Sequence, residues 1–242
     1  MKLIKLDAID STNEFLKGIS TQQYIENFTV VTAENQTNGK GQRGAVWNSE
    51  VGKNLIMSVL VKDYLIHTNA IFNLNIAFSL AVISTLIKKN IPDLSIKWPN
   101  DILSANKKIG GILIENSIKS DGSIHSIVGL GLNVNQTNFD GLPKASSLAE
   151  IAGLEFDKEE LLLDIITNLE KNVTESRNDS EALRQQFVDL LYKKDIPMPF
   201  TNQNDEKFMG IIQGISPIGR LLILLEDDSV AEFDIKEIQM LY

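Results

Sequence analysis

Five short stretches bring together residue types that can do chemistry. The first is Ser11-Thr12-Asn13. Hydroxyl and amide side chains at a helix start offer hydrogen bonds to an uncharged polar ligand. Ser11 and Glu14 also form the S-x-x-E pattern of a capping box, and the two uses are compatible. The second is Gly39-Lys40-Gly41-Gln42-Arg43-Gly44, with Trp47 close behind. It satisfies G-x-G-x-x-G after a predicted strand, and Asp63 lies at the distance of a ribose carboxylate. A dinucleotide fingerprint must open a helix, however, so that pyrophosphate meets the helix N-terminus. The residues after Trp47 run directly into another strand. What remains is either a loop of two cations and backbone N–H groups that wraps phosphate, or a flexible surface loop.

The third stretch, Lys97-Trp98-Pro99-Asn100-Asp101, puts a cation, an amide and a carboxylate at a strand end, where α/β sheets gather ligand groups. Lys97 can meet a phosphate and Asp101 a magnesium ion or a donor. A Pro-Asn-Asp turn accounts for the same residues. The fourth, Lys107-Lys108-Ile109-Gly110-Gly111, places two glycines in a strand pattern. That signals either the close approach of a ligand, within reach of lysine, or a β-bulge with solvated lysines. The fifth, Gly129-Leu130-Gly131-Leu132-Asn133-Val134-Asn135, has glycines on one strand face. Packing against a buried helix is the favoured reading there, ahead of ligand contact.

Composition narrows the chemistry. The chain has no cysteine and only two histidines, His67 and His125. Thiol nucleophiles, zinc-thiolate sites and iron–sulfur clusters are excluded, as is a multi-histidine metal site. The net charge of −9 disfavours general binding to DNA, RNA or anionic membrane. Yet residues 30–110 carry nine basic and five acidic side chains, leaving the remainder at −13. Either the surface is mixed or this window holds an anion site. No signal-peptide pattern opens the chain. With zero cysteine, this predicts a soluble cytoplasmic protein.

These stretches need elements to position them. A chain of 242 residues predicts one to two domains. Ser11 opens a predicted helix carrying Phe15, Leu16 and Ile19. Phe28–Ala33, Asn54–Val61, Leu94–Trp98, Ile109–Glu115 and Ser126–Val134 read as strands, with Asp121-Gly122 a turn. The apolar run Ala70–Ile87 is broken by Asn73, Asn75, Ser79, Ser84 and Thr85 and reads as a buried helix, not a membrane span. Asp157 and Glu160 cap a helix over Leu161–Val173, and another runs from Ser180 to Tyr192, beginning at Asn178 or Asp179. After Lys193 comes a proline-rich connector. Then Phe208–Ile215, Arg220–Leu225 and Val230–Ile235 follow as short strands with no helix, the spacing of a small β-barrel.

In order and spacing the five stretches resemble the biotin protein ligases, over about residues 7 to 135. The tail resembles that family's SH3-like domain. The resemblance implies an α+β fold: a mixed sheet with packed helices, the class II synthetase-like catalytic fold, over residues 1–192. A small SH3-like β-barrel over 193–242 completes it. The implied reaction has two steps. Biotin and ATP with Mg2+ give biotinyl-5′-AMP, and a lysine of a biotin carboxyl carrier protein then takes the biotin. Biotin contacts carry over to Ser11, Thr12, Asn13, Gln36, Gly39, Lys40, Gly41, Gln42, Lys108 and Gly111. Nucleotide contacts carry over to Arg43, Trp47, Lys97, Asn100, Asp101 and Asn133. Lys108, Arg43, Lys97 and Asp101 would carry the catalysis, while the metal ligands stay open.

A carboxylate attacking an α-phosphate is two anions meeting, so cations and oriented N–H groups suffice and no covalent nucleophile is needed. Lys40 and Gln42 stand where relatives often have arginine, and lysine does not match arginine in multidentate phosphate binding. This predicts weaker retention of the adenylate. Some relatives carry a winged-helix domain and act as repressors. Here the motifs begin at residue 10, which implies a ligase without direct DNA binding. A homodimer through a sheet edge is a further expectation. Rival readings are a lipoate or octanoate ligase or transferase of similar fold, and a noncatalytic biotin- or nucleotide-binding regulator.

Overall fold

The computed structural model describes residues 1–62, 64, 71–176 and 179–241, with Arg43 described by its backbone alone. Asp63, His67 and Asn178 lie outside them. The larger unit is a seven-stranded sheet of β1 (Leu3–Ile9), β2 (Val30–Gln36), β3 (Leu55–Lys62), β4 (Leu94–Lys97), β5 (Asp101–Ser104), β6 (Lys107–Ile118) and β7 (Ile124–Leu132). Their order is β1-β2-β3-β7-β6-β5-β4. β1 and β2 are parallel, joined by the crossover helix α1 (Thr12–Gln22), and the other pairs are antiparallel.

Period-two alternation gives the sheet two apolar faces. Val30, Val59 and Val128 point to the main core, built with α2 (Ile71–Lys88), α4 (Lys158–Ser176) and α5 (Ser180–Asp189). Their neighbours Val31, Leu60 and Ile127 point the other way, where they pack with Leu16 of α1 and Ile25. α2 is long and apolar enough to span a membrane by length and composition, but 72% of it is buried inside the molecule. It is a core helix. It ends in a Schellman motif: Asn90 takes φ +58°, its N–H donates to Ile87 O at 2.9 Å, and Ile91 N–H donates to Leu86 O at 3.1 Å. α4 begins where the Asp157 carboxylate accepts from the N–H groups of Glu159 and Glu160, at 2.7 and 3.0 Å. α5 is capped by Asp179.

The smaller unit is a five-stranded antiparallel sheet of β8 (Pro197–Asn202), β9 (Lys207–Ile215), β10 (Leu221–Leu224), β11 (Val230–Phe233) and β12 (Ile238–Met240). Its order is β11-β10-β9-β8-β12. The proline-rich connector is therefore strand β8, not a linker. Pro197 and Pro199 lie opposite Ile211 and Met209 in an ordinary antiparallel register. β1, β5, β12 and the short helix α3 (Leu148–Ala152) are also elements that the sequence reading left unassigned. The edge at β4 is covered, because Ile96 N–H donates to Leu190 O and Tyr192 N–H to Ile96 O, at 2.7 and 2.9 Å. This turn is why α5 stops at Asp189 rather than running to Tyr192.

Candidate active site

The site lies on the α1 face of the large sheet, opposite α2. Gly129 and Gly131 share that face with Ile127. An added Cβ at Gly129 would stand 2.4 Å from Asn13 Oδ1, and one at Gly131 would stand 2.3 Å from Trp47 Cε2. The expectation that these glycines pack against the buried helix is thus corrected. They make room for Asn13 and for the Trp47 indole, because strand parity aims them away from α2.

Ser11 caps α1, its hydroxyl 3.5 Å from Glu14 N. The Glu14 carboxylate does not reach back to close a capping box. It pairs instead with Lys40 Nζ at 2.7 Å and so ties the glycine loop to α1. The pair holds the Glu14 carboxyl below its ordinary range, and the Lys40 ammonium above its own, chiefly through their mutual hydrogen bond. Thr12 N and Oγ1 lie 2.8 and 3.1 Å from Gln36 Oε1. Asn13 Nδ2 donates to Glu115 Oε2 at 2.8 Å. Ser58, buried on β3, touches both Thr12 Oγ1 and Asn13 Oδ1.

The glycine-rich stretch is a closed loop with its own pairing. Lys40 and Val46 form an antiparallel bridge, Gly41 N–H donates to Ala45 O at 2.7 Å, and Trp47 N–H donates to Gly39 O at 2.9 Å. A Cβ at Gly39 would meet Trp47 O at 2.4 Å, so only glycine lets the loop's two arms come this close. The loop lays Trp47 over Gly131, with Lys108 Nζ 5.8 Å from the ring centre. Trp47 Nε1 is buried with no hydrogen-bond partner among the described residues, a donor available to a ligand.

Lys97 and Asp101 face each other across the β4–β5 hairpin. Asn100 holds this turn against β6. Its Nδ2 donates to Ile112 O at 2.6 Å and its carbonyl accepts from Ile112 N at 3.0 Å. The register of β5 with β6 slips between Ile102 and Leu103, so one extra residue on β6 separates the pairings of Gly110 and Lys108. A bulge is present, as one reading of this stretch expects, and it turns Lys108 onto the face of Gly111. Over that glycine Lys108 Nζ meets Asp101 Oδ1 at 2.7 Å, with the two side chains 38% and 21% exposed. Lys107 is exposed.

These parts border a single cavity of about 340 Å³. Ser11, Thr12, Asn13 and Gln36 line one region; Lys40, Gly41, Gln42 and Trp47 form the loop wall; Lys97, Asn100, Asp101, Lys108 and Gly111 line the rest. Three lysines and one carboxylate are the charged groups among the described lining residues, so the cavity favours anions inside an acidic protein. Gly39 and Asn133 are not among the lining residues, and Asn133 Nδ2 donates to Ser146 O at 3.0 Å. The Arg43 side chain lies outside the described structure. Sequence reasoning missed Ser58, whose signal is a polar residue in the apolar strand LIMSVL, and Glu115. It also missed the apolar wall from Phe200, Ile212, Leu221 and Ile238 of the small sheet, for which no local signal exists.

The fold and the lining have counterparts. The model of the biotin/lipoate A/B protein ligase family matches residues 6–133. The bifunctional ligase/repressor BirA of Bacillus spizizenii is 32% identical over 174 residues, 70% of this chain and 53% of that protein. The chain thus spans about half the length of that relative. The biotin–[acetyl-CoA-carboxylase] ligase of Mycobacterium tuberculosis is 28% identical over 220 residues, 88% of this chain and 79% of that protein. Among solved structures, the biotin protein ligase of Aquifex aeolicus in complex with biotin and ATP superposes with a TM-score of 0.82 at 27% identity, covering 99% of this chain and 98% of that one. With more than half of its length matched by the family model and a fold that superposes over nearly its whole length, the chain belongs to the biotin/lipoate A/B protein ligase family.

Proposed function

We propose that this protein is a biotin protein ligase that makes biotinyl-5′-AMP from biotin and ATP and passes the biotin to a lysine of a biotin carboxyl carrier protein. One observation carries the reading: a neutral hydrogen-bonding region and three lysines border the same cavity. A ligand with an uncharged polar ring at one end and a carboxylate at the other fits that division. The ring meets Ser11, Thr12 and Asn13, while the carboxylate reaches the lysines. A lipoyl or octanoyl acid has no polar ring and would set apolar atoms against the remaining hydrogen-bonding capacity of Ser11, Thr12 and Asn13, which disfavours it.

In the first step a biotin carboxylate oxygen attacks the α-phosphorus of ATP, and the bond to the bridging oxygen breaks to release pyrophosphate. Lys108 and Lys97 offset the charge of the two anions, and the family resemblance assigns Trp47 and Arg43 to the nucleotide. Lys108 pairs with Asp101 until anions arrive. Among the described residues no three His, Cys, Asp or Glu side chains converge. A magnesium ion would be held by Asp101, the one carboxylate among the described lining residues, and would offset the charge on the phosphates. In the second step the carrier's lysine amine attacks the acyl carbon and AMP leaves. The absence of cysteine and the use of ATP favour a cytoplasmic setting.

The test is transfer of labelled biotin to a purified biotin carboxyl carrier domain of an acetyl-CoA carboxylase. Label on the carrier, absent when its acceptor lysine is changed to arginine, is the expected result. No label, with lipoate or octanoate incorporated into a lipoyl carrier instead, would overturn the reading.

A further inference from the structure

Beneath the polar end of the cavity runs a chain of four side chains whose protons can be assigned by elimination. Glu115, when ionised, accepts hydrogen bonds only. The group 2.8 Å from its Oε2 must therefore be the Asn13 amide nitrogen, as observed, since the amide oxygen there would set two acceptors against each other. Asn13 Oδ1 then faces Ser58 Oγ at 2.6 Å and has no proton to give, so Ser58 donates to it. Ser58 has one proton. At its 2.7 Å contact with Thr12 Oγ1 it must accept. The single Thr12 hydroxyl proton thus goes to Ser58 and does not point into the cavity, while Gln36 Oε1 accepts from Thr12 N at 2.8 Å. Ser11 differs: its oxygen caps Glu14 N, which leaves its own proton to donate.

We propose that Glu115 and Ser58 are positioning residues that fix the hydrogen-bond polarity of the head-group pocket. The one-way chain Thr12→Ser58→Asn13→Glu115 leaves Thr12 Oγ1 as an acceptor, and the pocket selects a ligand that presents an N–H beside a carbonyl. Gly129 serves the same device, since any side chain there would displace Asn13. Ser58 is fully buried and does not line the cavity, so water does not supply it with alternative partners. If Asn13 turned over, its amide nitrogen would donate to Ser58. The Ser58 proton would then move onto Thr12 and fill a lone pair that the ligand N–H needs. This inference rests on the biotin reading, because a cyclic urea is the head group that carries such an edge.

The test uses biotin-dependent exchange of pyrophosphate into ATP. Biotin is compared with the two cyclic carbamate analogues in which one ring N–H is replaced by oxygen. Wild type is expected to disfavour at least one analogue by about 100-fold or more in kcat/KM. Glu115→Leu should raise KM for biotin at least about tenfold, with KM for ATP unchanged, and shrink the discrimination against that analogue at least about tenfold. Glu115→Gln, which keeps an acceptor oxygen but no charge, should restore most of both; a purely electrostatic role for Glu115 would not be restored. Ser58→Ala should act as Glu115→Leu does and gives a second route if that variant misfolds. Folded variants with unchanged KM and discrimination overturn the chain while leaving the ligase reading intact. A wild type without biotin-dependent exchange overturns both.

Discussion

Lys108 and Asp101 meet over Gly111 because a bulge in β6 turns the lysine onto the cavity face. The pair is partly exposed, so it adds no more than about 1 kcal/mol to stability. Under the proposed function, its value is the cation it holds for two incoming anions. Lys108→Ala should therefore lower adenylate formation by about 100-fold or more while the melting temperature stays nearly unchanged. Exchange kinetics and circular dichroism on one sample check both halves. At Gly129 the prediction is steric. Alanine would put a Cβ 2.4 Å from Asn13 Oδ1, so Gly129→Ala should raise KM for biotin at least about tenfold, read from the same assay. Gln42 borders the cavity from the loop, where an arginine would offer a bidentate fork to phosphate. Gln42→Arg should slow release of the adenylate, measured by chasing preloaded enzyme; faster release would refute that account.

At the scale of elements, the glycine loop is anchored at both ends. The Trp47 indole lies on Gly131, and Lys40 pairs with Glu14 on α1. The Glu14 carboxyl is held below its ordinary 4.5 and the Lys40 ammonium above its ordinary 10.5. Glu14's contribution is thus present above 4.5 and lost as pH falls through its lowered value. Lys40's is full below 10.5 and lost as pH rises through its raised value. Loop ordering by this pair should be constant between about pH 5 and 10, which Trp47 fluorescence in a Trp98→Phe background would show, and Glu14→Gln should abolish the acid limb. The strongly patterned elements were legible in the sequence. Ser11 marks the start of α1, and an 18-residue apolar run ending in Asn90 and Pro92 marks α2. β12 has three residues, too short for alternation to register, and β5 opens on Asp101, within a stretch that reads as a Pro-Asn-Asp turn. β8 was hidden by its two prolines, since proline ordinarily argues against a paired strand. The glycines of β7 were visible, but which face they served depends on the sheet order β3-β7-β6, which local pattern does not encode. Glu115 and Ser58 reach Asn13 only through that order.

At the scale of the whole molecule, the two sheets share one apolar core. Ile96, Phe187, Leu191, Phe200 and Ile212 belong to a single buried cluster, and Phe72 meets Phe187 edge-on at 5.7 Å. The turn between β9 and β10 is latched onto the larger unit. Trp98 Nε1 donates to Gly219 O at 2.9 Å, and Arg184 donates to Ser216 O and Pro217 O, at 2.8 and 3.0 Å. The tail should therefore melt with the rest in one calorimetric transition. Gly219 has φ +88° and would place a Cβ 2.1 Å from Phe72 Cγ. Gly219→Ala should destabilise the protein by about 1–3 kcal/mol or more and weaken ATP use, because the latch ends on the Trp98 of the Lys97–Asp101 turn. The central claim is that one cavity joins a pocket for an uncharged head group to a cationic centre that activates a carboxylate. Exchange of labelled pyrophosphate into ATP, with biotin, lipoate and octanoate supplied separately, tests it most directly. The account predicts exchange with biotin alone, abolished in Lys108→Ala; exchange with lipoate or octanoate, or none from folded protein with any of the three, would contradict it.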